Sequence, residues 1–253
     1  MVSTTCRAAS VPPGQNASAL GIPFSSAQVR EYKNFGETWY KGLIVSLSKR
    51  LSNNYQLQVS YTLANTQNVA DVYTTVPENH GGGRDSADPT GLPVGFDPFY
   101  DRGPSLNLDV RHRLAVSGLY RAPWGFYISG VVHAASGGPF SADSGADLNQ
   151  NGVTGDRART DPNDPSTEVR RNSERLRGTF IVNARVSKRF RIRNGASIEG
   201  IVEAFNLFDR ANFLTIENTF GAGVFPTSPS ATYGQYLTAR DPRQIQLAAR
   251  LIF

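Results

Sequence analysis

The chain has 253 residues, of which 39% are hydrophobic, and it carries a formal charge of +5. Mean hydropathy is -0.34, and no window approaches the roughly 18 uninterrupted apolar residues of a membrane-spanning helix, which excludes helical membrane proteins. Its basic residues are mostly arginines spread over strand-like and turn-like segments, a distribution that argues against nucleic-acid binding, and the single cysteine, Cys6, excludes an internal disulfide.

The first unit of the chain, residues 1–38, is rich in Ser, Ala, Pro and Gly and has no sustained period, so we predict an irregular loop. No segment within it supports a further strand. Its start also lacks the basic residues and long apolar core of a signal peptide. For an exported protein, that absence indicates that residues upstream are lacking. The second unit, residues 39–253, contains every strand that the pattern predicts.

Two strands with a period of two begin the second unit, at residues 39–51 and 55–63. In the second strand the apolar and polar side chains alternate almost without exception. The apolar set is Tyr55, Leu57, Val59, Tyr61 and Leu63, and the polar set is Gln56, Gln58, Ser60 and Thr62. Between the strands lie Ser52, Asn53 and Asn54, which predict a tight hairpin turn.

Five more strands follow, separated by connections that alternate between long and short. An irregular stretch at 64–107 leads to a hairpin of residues 109–121 and 126–136, and a second stretch at 137–176 leads to a hairpin of 179–190 and 197–208. A third stretch, 209–242, precedes the final strand at 243–253. On that strand Ile245, Leu247, Ala249, Leu251 and Phe253 alternate with Gln244, Gln246, Ala248, Arg250 and Ile252.

This alternation predicts an all-β, antiparallel, up-and-down transmembrane β-barrel segment with long extracellular loops. Transmembrane barrels use strands of roughly 9–11 residues, short periplasmic turns and long extracellular loops. We expect Leu57, Val59, Val116, Ile128, Val202 and Leu247 to face lipid. Aromatic residues at the short-turn end would form an interfacial girdle: Tyr55, Tyr120, Trp124, Phe126, Phe190 and Phe253. A soluble β-sandwich, the competing fold, usually has shorter connections.

Residues 198–213, IEGIVEAFNLFDRANF, resemble the penultimate-strand signature of TonB-dependent outer-membrane receptors, in the form of the Oar-like branch. The first hairpin, residues 109–114 (DVRHRL) and the terminal Phe253 are similar to the same family. The resemblance implies a barrel of about 22 strands plugged by an N-terminal domain, with these seven strands as its last ones. An odd count of seven agrees with a part of a larger barrel, because the first and last strands of an antiparallel barrel must pair.

The partners that the resemblance implies are those of a whole receptor. Outer-membrane lipid would surround the barrel, and the barrel assembly machinery would read the terminal strand through Phe253, Leu251 and Leu247. The TonB system would contact only the plug, which lies outside this chain. The imported solute would be a peptide, a glycan or a chelate, with no catalytic residue and no nucleic acid involved. The alternative function is a small self-standing outer-membrane or surface β-protein, acting as an adhesin or structural barrel.

Two carboxylates on the next-to-last strand, Glu199 and Glu203, lie on the same face as Arg185 and Arg189 of the strand before it. The carboxylates are about 13 Å apart by strand rise, which is too far for a glycosidase pair. Cross-strand ion pairs inside the barrel are the better interpretation, because carboxylates in a barrel wall need compensation.

A possible calcium loop lies in the second long stretch, where Asp147, Asn149 and Asn151 place oxygen ligands at alternate positions before a glycine. The twelfth position is Ala158 where a bidentate Glu is expected, although Asp156 could substitute in part. Calcium is therefore the one cofactor that the sequence raises, against the alternative of a polar surface turn.

The histidines do not predict an enzyme. His80, His112 and His133 are scattered over a loop and two strands, and Ser136 follows His133 by three residues, which places the two side chains on opposite faces of a strand.

Overall fold

The computed structural model describes residues 37–69, 102–106, 108–146, 148, 156–192 and 195–253, and the strand pairing of residues 2–7 and 28–33. Within these residues the regular structure consists of strands and two short 3₁₀ turns. No helix in this part of the chain is long and apolar enough to cross a bilayer. The strands are β1 (Val2–Arg7), β2 (Gln28–Lys33), β3 (Thr38–Ser52), β4 (Tyr55–Asn68), β5 (Gly103–Pro104), β6 (His112–Arg121), β7 (Phe126–Ala135), β8 (Pro139–Phe140), β9 (Glu174–Arg175), β10 (Thr179–Arg191), β11 (Ser197–Phe205), β12 (Phe213–Ile216), β13 (Tyr236–Ala239) and β14 (Gln244–Ile252).

The main sheet has the order β3-β4-β6-β7-β10-β11-β14, and each neighbouring pair is antiparallel. The expectation of an antiparallel up-and-down sheet is confirmed. The main difference lies in β4, which extends to Asn68 where the prediction ended at Leu63. Its last residues are polar, so they break the alternation, but they pair with the start of β3 and with the short strand β5.

The tight turns have the backbone conformations that their residues favour. Ser52 pairs with Tyr55 across Asn53 and Asn54, whose φ angles are 50° and 66°. Two central residues with positive φ form the hairpin turn whose twist matches that of the flanking strands, and Asn tolerates this conformation better than other non-glycine residues. The predicted hairpin turn is therefore confirmed.

Cross-strand register sorts the side chains into one apolar and one polar face. Val59 lies opposite Val116, Val116 opposite Val132, and Val132 opposite Val182, so that one row of valines crosses four strands. A second apolar row continues to the terminal strand and consists of Tyr55, Tyr120, Ile128, Val186, Val202 and Leu247. All six residues expected to share the lipid-facing side do lie on this one face.

Burial is inverted relative to a water-soluble sheet. Leu247 and Val202 on the apolar face are 75% and 48% exposed, whereas Glu199 and Ser187 on the polar face are 9% and 6% exposed. In soluble proteins the apolar face of a sheet is the one that packs against a core. The apolar face of this sheet instead lacks a covering layer among the described residues.

The sheet is open, and its two edges run in the same direction. Six antiparallel steps separate β3 from β14, so the two edge strands are parallel to each other. Neither edge pairs with the other within the described residues. Among the described residues the seven strands therefore form an open sheet rather than a closed ring.

The N-terminal prediction of an irregular loop was wrong in part. Strands β1 and β2 pair antiparallel with each other, from Val2 opposite Lys33 to Arg7 opposite Gln28, in a separate two-stranded sheet. Each strand has only six residues and mixes polar with β-branched side chains, so neither shows a sustained alternation. This is the kind of strand that periodicity fails to detect.

The second and third long connections, predicted as loops, contain ordered structure. Strand β8 pairs with β9 in one connection and β12 pairs with β13 in the other, while single bridges join Asp143 to Thr219 and Arg159 to Val224 between the two. Close approach requires glycine at one point, because a Cβ on Gly137 would lie 1.6 Å from the carbonyl oxygen of Leu176. The two connections therefore form one packed unit, which we call the loop cluster (residues 137–146, 156–178 and 206–243).

The loop cluster has an apolar core of its own. Ala142, Ala158 and Phe220 are buried together, and the rings of Phe225 and Tyr233 each lie 5.0 Å from the ring of Phe220. Two-residue strands offer almost no periodic signal, so sequence patterns did not indicate this core.

Replacing Phe220 with Ala should loosen the loop cluster while the main sheet remains folded. Removal of a buried phenylalanine typically costs about 3–5 kcal/mol. Limited trypsin digestion should therefore cleave faster at the exposed residues Arg170 and Arg177. The matched control is Phe208→Ala, because Phe208 is 66% exposed. Equal cleavage rates in the two variants would contradict a structural role for Phe220.

Candidate functional site

The polar face of the sheet holds a cross-strand ion pair at its centre. Register places Arg185 of β10 opposite Glu203 of β11, and Arg185 Nη1 lies 3.3 Å from Glu203 Oε1. Both side chains keep partial access to solvent, being 40% and 24% exposed. This predicted pair is confirmed.

The second predicted pair was wrong in its cation. Glu199 lies opposite Arg189 on one side and Arg250 of β14 on the other, and it is Arg250 Nη2 that approaches Glu199 Oε2, at 2.7 Å. The N–H group does not point at the oxygen, so the contact is an ion pair without a well-formed hydrogen bond. Arg189 is exposed and has no carboxylate within 4.0 Å among the described residues. The carboxylate thus links the terminal strand to β11 rather than β11 to β10.

A shallow groove of about 460 Å³ lies on the same polar face. It spans five adjacent strands, from β4 to β11, and the Arg185–Glu203 pair lies at one end of it. Its other polar lining side chains are Gln56, Ser117, Ser129 and Asn183. Its apolar lining side chains include Leu119, Val131 and Phe205, so the groove combines hydrogen-bonding groups and apolar patches beside one ion pair.

At the long-loop end of the sheet, a buried carboxylate connects the strands to the loop cluster. Asp109 is 1% exposed, its Oδ1 accepts a 2.8 Å hydrogen bond from Thr66 N, and its Oδ2 pairs with Arg175 Nη2. Arg175 Nη1 also donates to the carbonyl oxygens of Asp109 and Gly137, at 3.2 and 3.3 Å. Asp109, which lies in the segment that precedes β6, therefore joins that segment to β4 and β9.

Arg171 makes a second connection between the loop cluster and the sheet. It is 3% exposed, and its Nη2 donates to Asn68 Oδ1 at 2.7 Å. The next residue, Asn172, donates from Nδ2 to the carbonyl oxygen of Pro104 at 2.7 Å. The chain has four arginines in close succession here, of which only the first and last are exposed: Arg170, Arg171, Arg175 and Arg177. Spacing within the run gives no signal of the difference.

The possible calcium loop lies mostly outside the described residues: Asp147, Asn149 and Asn151 belong there. Asp156 is described and is fully buried, and its Oδ2 accepts a 2.6 Å hydrogen bond from Leu148 N. The described residues contain no group of three or more acidic, His or Cys side chains arranged for a metal ion. Calcium binding stays a prediction.

The described histidines lie on opposite faces. His112 Nδ1 lies 2.8 Å from Tyr61 Oη on the apolar face, while His133 lies between Ala115 and Ile181 on the polar face. Ser136 Oγ accepts a 3.1 Å hydrogen bond from His112 N. His80 lies outside the described residues. The absence of catalytic residues stays a prediction.

Near the tight turns, lysines and aromatic rings share the apolar face. Lys49 Nζ lies 3.6 Å from the ring centroid of Tyr55, and Lys188 Nζ lies 4.5 Å from that of Phe126. Trp124 and Phe253 are 83% and 95% exposed. Aromatic rings beside long cationic side chains at one level of an apolar surface are typical of a membrane–water interface.

Comparison with known families agrees with this arrangement. Residues 3–168, more than half of the chain, match the family described as outer membrane beta barrel domain. The chain belongs to that outer membrane beta barrel family. It is therefore a protein of the bacterial outer membrane. No curated protein and no solved structure matches it.

Membership of the outer membrane beta barrel family assigns an environment to each face. The apolar face meets lipid, the polar face lines the interior, and the tight turns lie on the periplasmic side. The terminal residues Leu247, Leu251 and Phe253 are exposed on the lipid side of β14. Their recognition by the assembly machinery stays a prediction.

Arginine at Val59 or Leu247 should destabilise the protein by about 2–4 kcal/mol, because both side chains face lipid near the middle of a strand. The matched control is Ser60→Arg, one residue along β4 on the polar face, which should have a mild effect. The measurement is the free energy of unfolding in lipid vesicles. Equal effects at Val59 and Ser60 would contradict the assignment of the faces.

Asp109→Asn should lower the free energy of unfolding by about 3–5 kcal/mol, since it leaves Arg175 without its buried partner charge. Glu203→Gln serves as the comparison, because its ion pair is solvent-accessible and should contribute at most about 1 kcal/mol. Urea unfolding in detergent micelles measures both values. If Glu203→Gln lowered the free energy of unfolding more than Asp109→Asn, then Glu203, and not Asp109, would be the carboxylate that stabilises the fold.

Proposed function

We propose that the chain is the C-terminal part of the barrel wall of a TonB-dependent, Oar-like receptor, through which a peptide, glycan or chelate crosses the outer membrane. In this proposal the chain acts by lining a passage and not by catalysis. Energy coupling belongs to a plug domain and the TonB system, which act on the receptor outside this chain.

The observation that supports the proposal best is the open sheet with parallel edges. Bacterial barrels have an even number of antiparallel strands, so that the closing pair is also antiparallel. Seven strands require an odd number of further strands to reach that arrangement. A receptor barrel of about 22 strands contains an odd number of strands besides these seven. The pair β1–β2 would add two strands, which is an even number.

The polar face agrees with a passage for a hydrated solute. Its groove is lined by hydroxyl and amide groups together with the apolar side chains of Leu119, Val131 and Phe205, and the charges at its end are compensated by the pair Arg185–Glu203. A groove that combines hydrogen-bonding groups, apolar patches and one ion pair is suited to a peptide or glycan of mixed polarity.

The first test is the DNA sequence upstream of the Met1 codon in the source genome. We expect an open reading frame that continues through further strands to a plug domain and a signal peptide. In parallel, an antibody against residues 206–243 should detect, in outer-membrane fractions, a protein far larger than 27.5 kDa. A 27.5 kDa outer-membrane protein preceded by an in-frame stop codon would instead favour the self-standing barrel or adhesin.

A further inference from the structure

A pocket of about 330 Å³ opens on the lipid-facing side of the sheet, at the end where the long loops begin. Its floor is apolar and comes from three neighbouring strands: Leu114 of β6 lies opposite Ala134 of β7, which lies opposite Phe180 of β10. His112 and Arg210 line its rim. The pocket thus combines an apolar floor with two nitrogen-bearing side chains at one end.

Arg210 is placed at this rim by its backbone. Its N–H donates to Asn206 Oδ1 at 3.2 Å, and its carbonyl oxygen accepts from Asn206 Nδ2 and Asn212 Nδ2, both at 3.0 Å. Both asparagines are buried, being 6% and 1% exposed. Since these contacts involve only the backbone of Arg210, its position does not depend on its guanidinium group.

The guanidinium group itself has few partners. Arg210 Cζ lies 5.8 Å from the ring centroid of Phe180, and Nη2 reaches the carbonyl oxygen of Gly178 only at 3.4 Å. No carboxylate of the described residues lies within 4.0 Å of it. His112 uses Nδ1 for its contact with Tyr61 Oη, which leaves Nε2 available at the rim.

The level of the pocket in the bilayer determines which ligands can reach it. The long loops of an outer-membrane barrel are extracellular, so this end of the lipid-facing side lies at the headgroup level of the outer leaflet. Arginine is the side chain best suited to phosphate, because its planar donors form charge-assisted hydrogen bonds with phosphate oxygens. A phosphate at Arg210 would have its acyl chains directed over Leu114, Ala134 and Phe180.

We propose that this pocket binds the phosphorylated headgroup of an outer-leaflet lipid, with Arg210 and His112 on the phosphate and an acyl chain on the apolar floor. Free phosphate would leave the apolar floor uncovered, and an unphosphorylated lipid would leave Arg210 without an anionic partner. The ligand that uses both parts is an anionic phospholipid or phosphorylated glycolipid. This inference depends on the outer-membrane location and is independent of the proposed transport.

The test uses the full chain extracted from outer membranes in a neutral detergent, with retained lipid counted by native mass spectrometry. The probes are dioleoyl phosphatidic acid, dioleoylglycerol and inorganic phosphate. Wild-type protein should bind phosphatidic acid about tenfold more tightly than dioleoylglycerol, as expected for a charge-assisted hydrogen bond. Arg210→Gln should remove that preference, and Arg210→Lys should keep part of it.

Arg240→Gln is the matched control, because Arg240 is exposed at the same end of the sheet but does not line the pocket. His112→Phe is a second variant, which keeps a ring while removing both nitrogens, and it should weaken phosphatidic acid binding even if Arg210→Gln does not fold. Equal binding by wild-type, Arg210→Gln and His112→Phe proteins would overturn the proposal. Displacement of phosphatidic acid by an equal concentration of inorganic phosphate would also overturn it, by identifying an anion site without lipid specificity.

Discussion

The structure depends on the cross-strand register of its seven long strands. Antiparallel pairing satisfies the backbone groups in surroundings where no water can do so, and the period of two then assigns every side chain to one of two faces. A slip of one residue between β10 and β11 would move Glu199 and Glu203 to the lipid side. The apolar rows, the ion pairs and the polar groove all follow from this one alignment.

Much of the sheet could be predicted from sequence, because its strands obey one rule over long stretches. The boundaries of β3, β7, β10 and β14 follow directly from alternation and turn residues. Alternation of apolar and polar residues did not predict the strand segments that are stabilised by contacts other than the packing of two distinct faces. The end of β4 is polar and is held by β5 and Asp109, and among the described residues the short strands β1 and β2 pair with each other and not with the main sheet.

The polar contacts also fall into those that the sequence predicts and those that it does not. Arg185 and Glu203 lie on adjacent strands of one hairpin, so their pairing could be inferred from register alone. Glu199 has an arginine opposite it on each side, and register cannot decide between two cations that are equally placed. Asp109 and Arg175 are separated by 66 residues and a long connection. Such a pair is defined only by the tertiary arrangement of the loop cluster, which no local sequence pattern encodes.

The parallel edges of the sheet constrain how such a wall can change in evolution. Duplication or loss of a β-hairpin alters the strand number by two, so it preserves the relative direction of β3 and β14. Only the gain or loss of an odd number of strands converts these edges into an antiparallel seam. A larger barrel that contains this sheet therefore keeps its antiparallel closure when a hairpin is gained or lost, and loses that closure when a single strand is gained or lost.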